Sequence, residues 1–154
     1  LARWVGHAAT VSAMSRIVAP KRMDATTGKS RAATVPDLVQ VQGLLQRHRA
    51  FYRMSFSDAS GFARQNECTL HGSEAALRIP FDGSLFYTLR GGAEAKKLEF
   101  NPGPAWRVEE EFIQAIRGKE KVRHTPFQEG LQYMRWTDAV HHSAASGQTV
   151  ILKR

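Results

Sequence analysis

Three side chains near the end of the chain are of types that do chemistry. Asp138, His141 and His142 lie within one helical turn, and Ser143 follows them. An acid orienting a histidine beside a hydroxyl outlines a hydrolytic site, and two histidines with an acid begin a metal site. The spacing speaks against both. The stretch has no HExxH pattern and no third ligand, and Ser143 does not sit on a strand-turn-helix elbow. At a hundred degrees per residue, His141 falls on one stripe with Leu131, Met134, Thr137 and Ala144, and His142 falls at its edge. Asp138 reaches either histidine at i+3 or i+4. The expected role is structural: a packed or partly exposed ion pair that holds the helix. No catalytic and no metal-binding residue is expected in this chain.

The single cysteine, Cys68, lies between Glu67 and Thr69 with no basic neighbour to lower its pKa, and reads as a small buried hydrophobe. The glycines form neither GxGxxG nor a Walker pattern. The formal net charge is +8, but the basic residues are spread out. The densest stretch, APKRMDATTGKSRAAT, lacks interleaved aromatics and any nucleic-acid-binding signature, so nucleic acid is not the expected partner. No apolar run approaches the ~20 residues that cross a bilayer. LARWVGHAATVSAM has no signal-peptide pattern, and with one cysteine the expected location is cytoplasmic.

These residues need elements to position them. The 154 residues suffice for one domain. RAFYRMSFS alternates Ala50, Tyr52, Met54 and Phe56 against Arg53, Ser55 and Ser57, the period of a half-buried strand. ECTLHGSEAALRI reads as a hairpin around Gly72-Ser73, with Gly72 at the positive-φ position of a type II′ turn. SLFYTLR, AKKLEF, ATVSAMSRIVA and DLVQVQGLLQ read as further strands, with a polar loop over 20–36. Beyond Pro102, WRVEEEFIQAIRGK places Phe112, Ile113 and Ile116 at helical spacing. Glu109 to Glu111 suit the helix start, Arg117 and Lys119 its end, and Gly118 its stop. Trp106-Arg107 reads as loop packing. A second helix has Thr125 as N-cap, Pro126 as first residue, Gln128 closing a capping box and Gly147 as its stop. QTVIL closes the chain as a strand. The predicted fold class is α+β: a large open, mainly antiparallel sheet with two C-terminal helices on one face. The expected division is 1–6 as a helix end, 7–101 as the sheet region, 102–147 as the helical region and 148–154 as the closing strand.

The order of these C-terminal motifs resembles the ending of the Gfo/Idh/MocA oxidoreductases, the glucose-fructose oxidoreductase and inositol dehydrogenase family. A helix of the type EEFxxAIRG matches Glu110, Glu111, Phe112, Ala115, Ile116, Arg117 and Gly118. A helix of the type FxxGLxxMxxxxAxxxSAxSG matches Phe127, Gly130, Leu131, Met134, Ala139, Ser143, Ala144, Ser146 and Gly147. HGSEAALRI resembles the family's central hairpin, and LARWVG the end of the helix that opens its C-terminal domain, which is glyceraldehyde-3-phosphate-dehydrogenase-like. The resemblance implies one C-terminal domain for substrate binding and oligomerisation, without the N-terminal Rossmann domain. That missing domain would bind NAD or NADP and carry the catalytic lysine of a Glu-Lys-Pro motif. The Asp and His of the DxGxH-type motif would precede Leu1. This chain alone is therefore expected to bind no cofactor and to be inactive.

The complete enzyme would act on the CH–OH group of a sugar, polyol or related compound. Its partners would be that small molecule, its own Rossmann domain and further copies of itself through the sheet. The family's substrate-lining segment corresponds to SGFARQNE, which makes Phe62 and Arg64 candidates. Arg64 stands where the family commonly has an aromatic residue. It fits either an acidic or phosphorylated substrate or a solvated arginine. Arg16, Lys21 and Arg22 are further candidates. The alternative is a free-standing ligand-binding or scaffold domain of the same fold without redox activity.

Overall fold

The computed structural model describes residues 5–47, 49–57, 67–101, 103, 107–123 and 126–153. The chain forms two compact units. One comprises Leu1–Ala59 with Val108–Arg154, and the other Ser60–Arg107. The fold is α+β, with antiparallel sheets and, among the described residues, two helices that run beyond a single turn.

The first unit is built on strand β1 (Thr10–Arg16). Between β1 and β4 (Leu38–Leu44) the register runs from Ser12↔Gln42 to Arg16↔Leu38. Strand β5 (Phe51–Ser57) follows on the far side of β4, and the short β10 (Val150–Ile151) pairs with β1 on the other, giving the order β10-β1-β4-β5. The alternation read in RAFYRMSFS holds for its centre: Tyr52 and Met54 turn inward, while Phe56 stays exposed. Residues 20–36, expected as a polar loop, instead fold back as a hairpin of β2 (Lys21–Met23) and β3 (Ser30–Ala32). Its turn has a local cause the sequence reading passed over. Asp24 Oδ1 accepts the N–H groups of Thr26 and Thr27, and Gly28 supplies φ +64°.

Helix α1 spans Val108–Ile116 and α2 spans Phe127–Ser146. Both stop on glycine in the left-handed region, Gly118 and Gly147, as expected. At α1 the Lys119 N–H reaches Gln114 O and the Gly118 N–H reaches Ala115 O, which is the Schellman pattern. The start of α2 differs from expectation. Pro126 is the N-cap rather than the first helical residue, with φ −62° and ψ 156° and no side-chain cap bond. Thr125 lies outside the described residues. In α1, Phe112, Ile113 and Ile116 are exposed, and the buried residue is Glu111, whose carboxylate accepts the Arg123 N–H. A short return of the chain over the helix start thus overrides the apolar pattern.

Helix α2 covers β1 and β10, and the core is Val11, Ala13, Val41, Leu45, Tyr52 and Ala139, with Trp136 and Val140 packed against it. Burying a side chain such as Val11 or Val41 stabilises by roughly 1.5–3 kcal/mol. The sheet-facing stripe of α2 is Trp136, Ala139, Val140 and Ser143, rotated from the predicted one. His141, Leu131 and Met134 are exposed instead.

The second unit is a four-stranded meander: β6 (Glu67–His71), β7 (Ala75–Pro80), β8 (Phe86–Leu89) and β9 (Lys96–Lys97). The strands fall where the alternation placed them, but the ladders of the described residues make three sheets rather than one. Gly72 is not among the positive-φ glycines, so the β6–β7 turn is not type II′. A three-residue connection closed by Gly72 N–H to Ala75 O replaces it. The register sets Leu70 against Leu77 and Leu77 against Tyr87 on one face. On the other, Arg78 pairs with Glu67 at 3.0 Å and lies 5.8 Å from the Phe86 ring centre.

Ser143 supplies a rung that the β1–β10 ladder lacks. The register Thr10↔Ile151, Val11↔Val150 sets Gln148 opposite Ala13, but the strand pairing ends first. The buried Ser143 hydroxyl bridges the gap, accepting the Ala13 N–H at 2.8 Å and donating to Gln148 O at 2.7 Å. Ser143→Ala should lower stability by about 1–3 kcal/mol, because the buried Ala13 N–H and the part-buried Gln148 carbonyl lose their partner. His141→Ala and His142→Ala, at exposed sites, should each change it by less than ~0.5 kcal/mol. Urea denaturation of the three variants checks this ordering, and equal midpoints would refute it.

Candidate functional site

The residues that read as a chemical cluster are not one. Asp138, His141 and His142 are all exposed, and among the described residues no ion pair joins Asp138 to either histidine. The expected pair is absent because the sheet claims the opposite side of α2. Ser143 has no base beside it, and both capacities of its hydroxyl serve the backbone. Cys68 sits half-buried in β6, where burial pushes its thiol pKa up, away from nucleophilic use. Among the described residues no three His, Cys, Asp or Glu side chains gather as metal ligands, and no helix is long and apolar enough to cross a membrane.

In the first unit a half-open cavity of about 410 Å³ lies beside α2. Val5, His7, Tyr52, Met54, Tyr133 and Trp136 are among its walls. A hydrogen-bond chain fixes the aromatic wall: Trp136 Nε1 donates to Tyr52 Oη at 3.2 Å, and Tyr52 Oη donates to Thr10 O at 2.9 Å. Burial raises the Tyr52 pKa, with the Trp136 bond acting weakly against it. At the rim, His7 Nε2 lies 3.5 Å from Glu129 Oε2, an accessible pair of small energetic weight. The cavity has apolar surfaces and directional polar atoms already committed to each other. It suits binding, not bond-making. The sequence reading missed it because its walls come from five separate segments.

Of the candidate substrate contacts, Phe62 and Arg64 lie outside the described residues. Arg16, Lys21 and Arg22 cluster around the β1–β2 connection, all exposed. Arg22 is committed to structure: its guanidinium lies 3.1 Å from Asp37 Oδ2 and donates to Val35 O. Asp37, which the sequence reading passed over, is the buried hub there. Its carboxylate accepts the Val18 N–H at 2.6 Å and the Ala19 N–H at 2.8 Å, and these bonds, helped by Arg22, hold its pKa below the usual carboxylate range. Arg16 and Lys21 form no ion pair among the described residues.

The first turn of α1 carries Glu109, Glu110 and Glu111, which repel a pyrophosphate, and α2 opens on Pro126 and Phe127 without a glycine-rich loop.

No protein-family model and no curated protein matches the chain. Solved structures do. Levoglucosan dehydrogenase superposes with a TM-score of 0.76 at 19% identity, over 99% of this chain and 48% of that one. The fold is that of the C-terminal domain of Gfo/Idh/MocA-type oxidoreductases. An aldose-aldose oxidoreductase from Caulobacter crescentus matches at 0.72 and 19% identity, over 98% of this chain and 44% of that one. The transcriptional regulator Gal80p from Kluyveromyces lactis matches at 0.69 and 19% identity, over 94% and 40%. The chain thus spans about half the length of the solved relatives it matches.

The Asp37 hub generates a pH prediction. Its folded-state pKa is depressed, so its contribution is present above the unfolded value of about 4 and is lost as pH falls through the folded value. Asp37→Asn should therefore be less stable than the parent at pH 7, and the gap should close below about pH 4. Thermal melts of both proteins across that range check the sign. A gap that persists undiminished in acid would show that the carboxylate charge is not what holds the connection.

Proposed function

We propose that this chain is the substrate-binding and assembly domain of an NAD(P)-dependent oxidoreductase. Its substrate class is a sugar, polyol or related compound with an oxidisable CH–OH group. The observation that carries this reading is the superposition, over nearly all of the chain, on half of a dehydrogenase solved with NADH and levoglucosan together. In such a reaction a hydride passes between the carbinol carbon and the nicotinamide, and a base takes the hydroxyl proton. The cofactor and the base belong to the other half of the enzyme. This chain supplies walls that orient the substrate and exclude water. The candidate substrate contacts are Phe62 and Arg64 of the second unit and, separately, Arg16 and Lys21 of the first, exposed cations that suit a polar group. Arg22 acts through Asp37 to hold that connection in place.

Assembly runs through the second unit's sheet. Leu70, Leu77 and Tyr87 share one face of it, and such a face is stable when another copy covers it. The second reading, a ligand-binding or scaffold domain without redox activity, has its own support. A transcriptional regulator shares the fold. The coding sequence upstream of Leu1 separates the two. GxGxxG after a strand, followed by a Glu-Lys-Pro motif, marks the enzyme.

Two outcomes follow. Titration calorimetry should detect no micromolar NAD or NADP binding to this chain alone and clear binding to the complete polypeptide. Micromolar binding by the chain alone would overturn the division of labour. In the complete protein, Tyr87→Asp should convert the oligomer to monomer by placing an unpaired charge in the interface. Light scattering that shows the parent already monomeric at micromolar concentration would remove the assembly role.

A further inference from the structure

Helix α2 has an inner side on the sheet over its second half and a separate apolar stripe on the opposite, outer side of its first half. Trp136, Ala139, Val140 and Ser143 face β1. On the outer side, Phe127, Leu131 and Met134 recur at i, i+4 and i+7 and are 85%, 52% and 60% exposed. Further along, the same outer side carries Asp138, His141 and His142, which are also exposed but polar. The apolar stripe is therefore local. It stops where water-facing chemistry resumes, as a covered patch does and a merely hydrophobic helix does not.

Chain geometry says what can reach it. Val5 and His7 line the cavity together with Gln132, Tyr133, Trp136 and Thr137 of α2, and His7 pairs with Glu129 in its first turn. Around the helix at a hundred degrees per residue, Tyr133 and Thr137 lead through Gly130 to Met134, Phe127 and Leu131. A Cβ at Gly130 would meet nothing within 4 Å, so the path between is open. Val5, the first described residue, thus lies on the α2 side of the first unit, so a polypeptide joined ahead of Leu1 is tethered close to this helix and meets it at high effective concentration. The matched dehydrogenase is about twice as long as the part this chain covers.

We infer that Phe127, Leu131 and Met134 form the seat of the nucleotide-binding half of the complete polypeptide. This inference rests on the oxidoreductase reading above. The half that carries the cofactor docks on the outer side of α2, and the sheet remains free for a second copy. Leu131 and Met134 insert into that half, and Phe127 closes the end of the contact.

Methionine footprinting tests it. The 154-residue chain and the complete polypeptide are treated with hydrogen peroxide, and sulfoxide is followed residue by residue by mass spectrometry. Met134 should oxidise about as fast as the exposed Met23 in the short chain and at least about tenfold slower in the complete one, with Met23 unchanged. Protection should not depend on protein concentration. Equal Met134 rates in the two proteins overturn the inference, as does protection that grows with concentration, which marks a second copy on α2. Protection confined to Met14, on the outer face of the four-stranded sheet, also overturns it. A reading frame with no nucleotide-binding half upstream does the same. Cofactor binding by the complete polypeptide is measured separately. Met134 protection without it keeps the docking face and removes the redox reading; cofactor binding without protection does the reverse.

Discussion

The first unit depends on how the backbone of β1 is satisfied where its ladders break. Toward β10 the pairing ends one rung short, and the Ser143 hydroxyl takes the place of that rung. Toward β4, Ala8 pairs with Leu45 and Ser12 with Gln42, so three residues oppose two. That is a β-bulge, and its loose groups are gathered by side chains. Thr10 Oγ1 accepts the Leu44 N–H, and Thr10 O accepts the Tyr52 hydroxyl. Gly43 belongs to this arrangement, because any Cβ there would collide with Thr10 O. Tyr52 in turn accepts the Trp136 indole N–H from α2. Helix and sheet are therefore joined by bonds that exist only because β1 is irregular on both sides.

Those bonds have a directional consequence that apolar packing alone lacks. Hydrophobic burial tolerates rotation of a helix about its axis; a serine and a tryptophan that must each meet a fixed backbone or hydroxyl partner do not. Ser143 and Trp136 are seven residues apart, close to two turns, and fix α2 at two heights. The outer stripe and the cavity wall are held in position by that lock.

The same lock explains what the sequence disclosed and what it did not. Strand periodicity in TVSAMSR, LVQVQGL and FYRMSFS was legible because alternation is a local property, and the left-handed Gly118 and Gly147 stops were legible for the same reason. The resemblance of the two helical motifs to an oxidoreductase ending disclosed the fold. The buried side of α2 was misread by its hydrophobicity. Leu131 and Met134 are larger and more apolar than Ala139 and Ser143, yet the smaller residues face the sheet, where close backbone approach and a hydroxyl are needed. Glu111 inverted the expectation for α1 in the same way. Gly72 suited a positive-φ turn by composition, but the three-residue connection did not require one. The hairpin at Lys21–Ala32 hid in a polar stretch because its cause is Asp24 binding its own turn rather than an apolar period.

The candidate site was the least legible part, for a physical reason. Binding surfaces assembled from distant segments leave no spacing in the sequence, and the cavity draws Val5, Tyr52 and Trp136 from three of them. Residues whose types read as chemistry, Asp138, His141, His142 and Ser143, are either solvated or consumed by the backbone. Asp37, which read only as the start of a strand, carries a carboxylate whose pKa is held down by backbone N–H groups. Asp37 gathers two N–H groups and a guanidinium at the point where β1 hands over to the basic hairpin, so Arg22 is set in position by one buried anion. On the proposed reading this division is expected. A half-enzyme that contributes orientation and not proton transfer needs rigid, internally paired polar groups. Arg16 and Lys21, which form no ion pair among the described residues, are exposed, so a charged or hydroxylated ligand can still reach them.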